Sequence, residues 1–438
     1  MSPELATLAL FGSMFVLVML GLPLAFAIGG VGLTFAYFLW GFDGTKIVAI
    51  QSLGIMRSTI LLALPLFILM ANFLRESGIA DDLYELMYGL LGRVRGGLAV
   101  GTVGICTIFA AMAGISGAAT VTMGLIALPS MLKRGYGKTL AIGSICAGGA
   151  LGILIPPSVV MIIYGVMAKV SVGRLFAGGV FPGLLLATLF IIYILIRAHF
   201  NPELGPSLPP EERVPLRKML PKFKALIFPM AIVFAVLGSI FTGIATPTEA
   251  AAVGAFSAII STALSRKLKW SLVREASTET LRLTAMILWI VIAASWFSAT
   301  YSAVGGPQFV SQFIQSLGVS RWIVLIGIQF LLIILGMVME TTGIIMITVP
   351  VFLPLIKAFG FDPLWFGILF VVNMEMGLLT PPFGVNLFYL KGIVPKGVSM
   401  GDVYRSIIPF VLLQLVGLII IMIFPQIATF LPDFIFSR

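Results

Sequence analysis

Apolar runs of about twenty residues recur from one end of this chain to the other, and a soluble fold has nowhere to hide them. A helix needs about 20 apolar residues to cross the hydrocarbon core of a bilayer. Runs of that kind are read at 5–21, 23–40, 58–76, 138–168, 174–198, 224–243, 247–265, 283–302, 363–391 and 404–431, ten in all. Of the 438 residues, 60% are apolar and 10% charged, against roughly 25% charged in a soluble domain. That balance excludes a water-soluble enzyme, because a soluble core has too few positions to bury so many apolar side chains. It excludes disorder for the same reason. The chain reads as an all-α polytopic membrane protein.

Two further apolar stretches, 97–133 and 320–357, are too long for one crossing, and each has a polar or glycine-rich centre: Gly114-Ile-Ser-Gly117 and Glu340-Thr-Thr-Gly343. Both are read as re-entrant hairpins, which are tolerated at membrane depth only inside protein or beside a water-filled cavity. With the hairpins counted as non-crossing, 20 of the 27 basic residues fall on one side. The positive-inside rule then puts both termini outside. No Lys or Arg precedes Lys46, so the run from Leu5 is expected to be a retained helix rather than a cleaved signal. The proline-rich segment 201–221 is the longest polar connection and reads as an extended cytoplasmic linker. Cys106 and Cys146 sit in apolar context and His199 is the sole histidine, which argues against disulfides, Cys metal sites and haem.

Displaced by 225 residues, the chain matches itself. Pro129 falls on Pro354, Gly152 on Gly377, Pro156-Pro157 on Pro381-Pro382 and Tyr164 on Tyr389. The amphipathic stretches Gly78–Gly92 and Ala303–Gly318 also correspond. Each half holds five spans and one hairpin, and five is odd, so the second half is inserted upside down. Such an inverted-topology repeat is a transporter signature.

The double prolines break a helix in each half, since proline has no N–H and clashes with the carbonyl four residues back. They are expected to free the carbonyls of Gly152 and Ile153, and of Gly377 and Leu378, deep in the bilayer. Oxygen clusters of this kind suit a hard cation such as Na⁺. The half-helix that restarts after each break would offer its N-terminal amides to an anion. Ser116 and Thr120 on one hairpin tip, and Thr341 and Thr342 on the other, would supply hydroxyls opposite the breaks. Asn386, on the second new half-helix, is the expected substrate contact, whereas Asn373 is either a contact or a structural hydrogen-bonder. Glu340 and Glu375 would each balance a cation or face an aqueous vestibule. Thr246-Pro-Thr-Glu249 reads as a capping box, and Ser399-Met-Gly-Asp402 as another cap. No phosphate-binding Gly-x-x-x-x-Gly-Lys-Ser/Thr loop occurs, so ATP is not expected to drive the chain, and no metalloprotease or nucleophile-elbow motif is found. A proton-conducting respiratory subunit would need mid-span lysines, which are nearly absent, and a passive channel would not need the broken repeat.

Several runs together resemble the large membrane subunit of tripartite ATP-independent periplasmic (TRAP) transporters: Met112–Met123, Leu128–Tyr136, Ile153-Leu-Ile-Pro-Pro-Ser158, Ala245–Ala252 and Leu379-Thr-Pro-Pro-Phe-Gly-Val-Asn386. The resemblance implies a fold of the elevator-type ion transporter superfamily, with about ten transmembrane helices and two re-entrant hairpins. It implies a Na⁺-driven importer of organic anions, carboxylates or sulfonates, in the inner membrane. Two or more Na⁺ ions are expected: one site at Ser116, Gly117, Gly152 and Pro156, the other at Thr341, Thr342, Gly377 and Thr380. Substrate is expected at Ser116, Thr120, Ser158, Thr342 and Asn386. Expected partners are a separate small four-helix membrane subunit and a periplasmic binding protein, with no nucleic acid. Scaffold helices would lie in 1–92 and 223–318, transport halves in 93–200 and 319–438, and the linker in 201–222. A stand-alone Na⁺/anion symporter of the same superfamily is the alternative.

Overall fold

The computed structural model describes residues 2–213, 215, 219–382, 384–395 and 397–437. Arg217, Lys218, Lys396 and Arg438, which the charge argument used, lie outside the described residues. The first half runs α1 (Pro3–Met19), α2 (Leu24–Trp40), α3 (Phe42–Met56), a 3₁₀ turn into α4 (Ala63–Glu76), α5 (Ile79–Leu91), α6 (Gly97–Ala113), α7 (Ser116–Lys133), α8 (Lys138–Ala150), α9 (Val159–Ala168) and α10 (Val172–Phe200). The second runs α11 (Ile227–Val233, continuing through a π turn to Phe241), α12 (Pro247–Leu264), α13 (Trp270–Ala303), α14 (Gly306–Ser316), α15 (Arg321–Gly336), α16 (Thr341–Ala358), α17 (Pro363–Gly377), α18 (Val385–Lys391), α19 (Met400–Ile423) and α20 (Gln426–Phe436).

Helix ends fall where capping chemistry puts them. Thr246 and Glu249 form the expected capping box at α12, the Thr246 amide reaching Glu249 Oε2 at 2.7 Å. Ser399 and Asp402 do the same at α19. The repeat appears element by element: α2 has its counterpart in α12, the amphipathic α5 in α14, α6–α7 in α15–α16, and the broken α8–α9 in α17–α18. The halves interlock crosswise, α2 packing on α13 and α12 on α4. Small residues permit the close approach, as bilayer packing requires: a β-carbon on Gly32 would lie 2.6 Å from the Phe297 amide nitrogen.

Two readings of the sequence are corrected here. The run 404–431 is two helices, because Pro425 interrupts it after Ile423. The segment 42–56, not read as an element, is helix α3, which the Asp43–Lys46 pair and Gln51 had made too polar to stand out. Its counterpart in the second half is fused into the 34-residue α13. Among the described residues seven helices are long and apolar enough to cross alone; the runs 5–21 and 23–40 form single 17-residue helices, and 138–168 and 363–391 are interrupted at their double prolines, as expected. Thr341–Ala358, read as a hairpin arm, is one of the seven.

Candidate functional site

Both hairpins exist as helix pairs, and each tip is pressed against a break. At hairpin 1, Gly114 ends α6 with φ +66°, a conformation a side chain resists. A β-carbon there would lie 2.5 Å from the Pro157 carbonyl oxygen. The Gly114 carbonyl accepts the Val159 amide at 3.3 Å, pinning the tip to the start of α9. Gly152 lies beneath the same tip, where its β-carbon would come 3.0 Å from the Ile115 carbonyl oxygen. At hairpin 2 two glycines meet: a β-carbon on Gly377 would lie 2.8 Å from Gly336 Cα. Pro156–Pro157 and Pro381–Pro382 are both cis peptides.

The second arm of each hairpin also packs on the half-helix of the opposite repeat, α7 on α18 and α16 on α9. This crossing brings Ser116 to Asn386. The Ser116 hydroxyl donates to Asn386 Oδ1 at 3.2 Å, both side chains buried, and Asn386 Nδ2 has no partner among the described residues. Gly117 receives the ring of Tyr389, a β-carbon there falling 2.7 Å from Tyr389 Cε2. Thr341 and Thr342 are buried at the start of α16. Glu340 caps that helix, Oε2 accepting the Thr342 amide at 2.9 Å and Oε1 the Thr342 hydroxyl at 3.1 Å. Thr380 donates its hydroxyl to the Met376 carbonyl at 2.7 Å.

The freed carbonyls are not all vacant. Ser158 donates its hydroxyl to the Ile153 carbonyl at 2.5 Å, the Asn386 amide reaches the Leu378 carbonyl at 3.2 Å, and the Thr380 amide reaches that of Gly377 at 3.2 Å. Each such oxygen keeps a second lone pair for a cation. Ser158 also caps α9, its oxygen accepting the Met161 amide at 3.2 Å. Its hydroxyl proton is engaged in this arrangement, as are those of Ser116 and Thr342. Thr120 donates its hydroxyl to the Ser116 carbonyl at 3.2 Å and faces Gly149 of α8. The half-helix amides are also largely engaged. Val159 and Met161 at α9, and Asn386 and Leu387 at α18, already donate within the protein. Few main-chain donors are therefore left open where the two half-helices restart.

The two acids separate. Glu340 is exposed at its tip, whereas Glu375 is wholly buried with neither carboxylate oxygen hydrogen-bonded among the described residues. Asn373 is structural, its amide donating to the Gln329 carbonyl and to Gln329 Oε1, both at 2.9 Å. Tyr389 and Gly336 are the site residues that motif reading passed over. The match of Tyr389 to Tyr164 across the repeat was the signal that could have found the first.

Two inverted-looking halves, each pressing a hairpin tip on a helix broken by paired prolines, define a membrane transporter of the broken-helix class. Solved structures agree on the fold. The YdaH transporter of Alcanivorax borkumensis superposes with a TM-score of 0.61 at 17% identity, over 88% of this chain and 89% of its own. MtrF of Neisseria gonorrhoeae gives 0.60 at 13% identity, over 91% and 86%. The chain belongs to the family of the DctM component of tripartite ATP-independent periplasmic transporters, whose model matches residues 11–427. It is 36% identical to the C4-dicarboxylate TRAP transporter large permease protein DctM of Pseudomonas aeruginosa, over 90% of this chain and 91% of that one. The ectoine/5-hydroxyectoine large permease UehC of Ruegeria pomeroyi is 32% identical over 98% and 99%. It is thus the large permease subunit of a transporter and not an enzyme.

Proposed function

We propose that this permease is a Na⁺-coupled secondary importer of a small organic anion, a carboxylate or sulfonate, across the inner membrane. The observation that carries the reading is the crossed seating of the tips, with Ser116 of one half hydrogen-bonded to Asn386 of the other at 3.2 Å. Na⁺ is assigned to the oxygens around Ser116, Gly117, Gly152 and Pro156, and to those around Thr341, Thr342, Gly377 and Thr380. Oxygen-only ligand sets of this kind suit a hard cation. The anion is assigned to Ser116, Thr342 and the unpartnered Asn386 Nδ2. Bound Na⁺ would order the tips and so admit the anion. The residues 93–200 and 319–438 would then move together against 1–92 and 223–318, as an elevator. Both termini are placed in the periplasm.

Carboxylates are named as substrate for the Pseudomonas aeruginosa relative. A sulfonate is named for the isethionate TRAP transporter permease protein of Oleidesulfovibrio alaskensis. A tripartite transporter requires two more components, taken here to be a small four-helix membrane subunit and a periplasmic binding protein. The test is uptake into proteoliposomes holding both membrane subunits, with binding protein outside, with and without an inward Na⁺ gradient. Uptake should follow the gradient and ignore ATP. Uptake that needs ATP and is indifferent to Na⁺ would defeat the reading.

A further inference from the structure

We propose that Tyr389 reads the anion, its phenolic hydroxyl donating a hydrogen bond to the substrate's carboxylate or sulfonate at the mouth of the site whose floor is Asn386. The inference rests on the import function proposed above and adds a specificity residue to it.

Asn386 and Tyr389 are three residues apart on α18, so they share a face. Asn386 is fully buried and Tyr389 is 48% exposed, which sets one at the bottom and the other at the rim. The ring of Tyr389 lies flush on Gly117 of the opposite hairpin tip, where any side chain would displace it. No hydrogen bond to its hydroxyl is formed among the described residues. The fold does not require that freedom. The repeat mate, Tyr164, is 0% exposed and donates its hydroxyl to the Pro363 carbonyl at 2.8 Å. Tyr389 has the same place in an inverted copy, yet its donor is left open.

The bland role, an aromatic belt residue against lipid, does not fit the surroundings. Beside its partial burial, the Tyr389 hydroxyl is acted on by the carboxylates of Glu340 at the hairpin 2 cap and Glu279 of α13, and carboxylates do not face hydrocarbon. With the half-helix amides largely engaged, a phenol is one of the few donors left to meet an anion.

The test compares Tyr389→Phe, Tyr164→Phe and the unaltered chain, each with its small subunit in proteoliposomes and with binding protein outside. Labelled succinate is the carboxylate probe and labelled isethionate the sulfonate probe. Losing one hydrogen bond to a charged group should raise KM for the transported probe roughly ten-fold in Tyr389→Phe. The maximal rate and the half-saturating Na⁺ concentration should stay close to those of the unaltered chain. Tyr164→Phe should lower the melting temperature without moving KM, and Gly117→Ala, by pushing the ring aside, should raise KM in the same direction. An unchanged KM in Tyr389→Phe overturns the proposal, as does an equal rise in Tyr164→Phe. If the unaltered chain takes up neither probe under a Na⁺ gradient, the import reading itself fails, an outcome distinct from failure at Tyr389.

Discussion

The Ser116 hydroxyl and the Asn386 side-chain oxygen lie 3.2 Å apart although 270 residues separate them in the chain. One ends a hairpin turn and the other opens a half-helix in the opposite repeat. This single hydrogen bond ties the two halves together at the break, and it makes the pair energetically coupled. Ser116→Ala would leave a second polar atom of a buried amide unpaired, beside the already unpartnered Nδ2. The expected cost to thermal stability is about 1–3 kcal/mol. A double-mutant cycle with Asn386→Ala should show clear non-additivity in the apparent Na⁺ affinity of uptake. Simple additivity would mean that the contact is incidental.

Pro381→Ala combined with Pro382→Ala restores two amide donors next to carbonyls that a continuous helix would use. The new N–H groups would compete with a cation for the oxygens of Gly377 and Leu378, so the half-saturating Na⁺ concentration for uptake should rise. Those oxygens already hold one donor each, so the effect is a weakening and not an abolition. Unchanged Na⁺ dependence would make these oxygens bystanders.

Gly336→Ala or Gly377→Ala inserts a methyl group where two main chains touch, at 2.9 and 2.8 Å from the facing Cα. Neither backbone can give way as a flexible side chain would. Overpacking of this sort costs about 1–3 kcal/mol. Thermal unfolding in detergent should show a lowered midpoint for either variant, whereas Gly104→Ala, with open space around it, should behave as the unaltered protein does.

At the linker, Glu212 accepts from the Tyr88 hydroxyl at 2.6 Å and from Arg134 Nε at 2.9 Å, while the Arg134 guanidinium stands 4.8 Å over the Tyr88 ring. The Tyr88 hydroxyl first, and the Arg134 guanidinium second, hold the Glu212 carboxyl below its ordinary range. A depressed carboxyl favours the folded arrangement above the ordinary carboxylate range, and that contribution is lost as pH falls through the folded value. Limited proteolysis at 201–213 should therefore accelerate on acidification, and Glu212→Gln should flatten the profile by removing the charge at every pH. A linker equally resistant at all pH values in both forms would rule the link out.

Much of the site was legible in the chain because its signals are local. Paired prolines stop a helix wherever they stand, Thr246 and Glu249 cap one wherever they are spaced by three, and a repeat survives as ordered identities. What the chain could not give was the fate of individual lone pairs. Ser158, a ligand candidate by position, donates a hydrogen bond to the Ile153 carbonyl freed by Pro157 and caps α9 by accepting the Met161 amide. Glu340 and Glu375 looked alike until packing buried one and left the other open.

By itself the sequence determined the class of protein and the depth and symmetry of its two interruptions, since hydropathy and missing amides act along a few turns of one helix. Tertiary structure decided which oxygens and donors remain open at those interruptions. That depends on which distant segment arrives beside them, as Ser116 does at Asn386 and Gly117 at Tyr389, and burial then forces every polar atom that finds a partner to keep it.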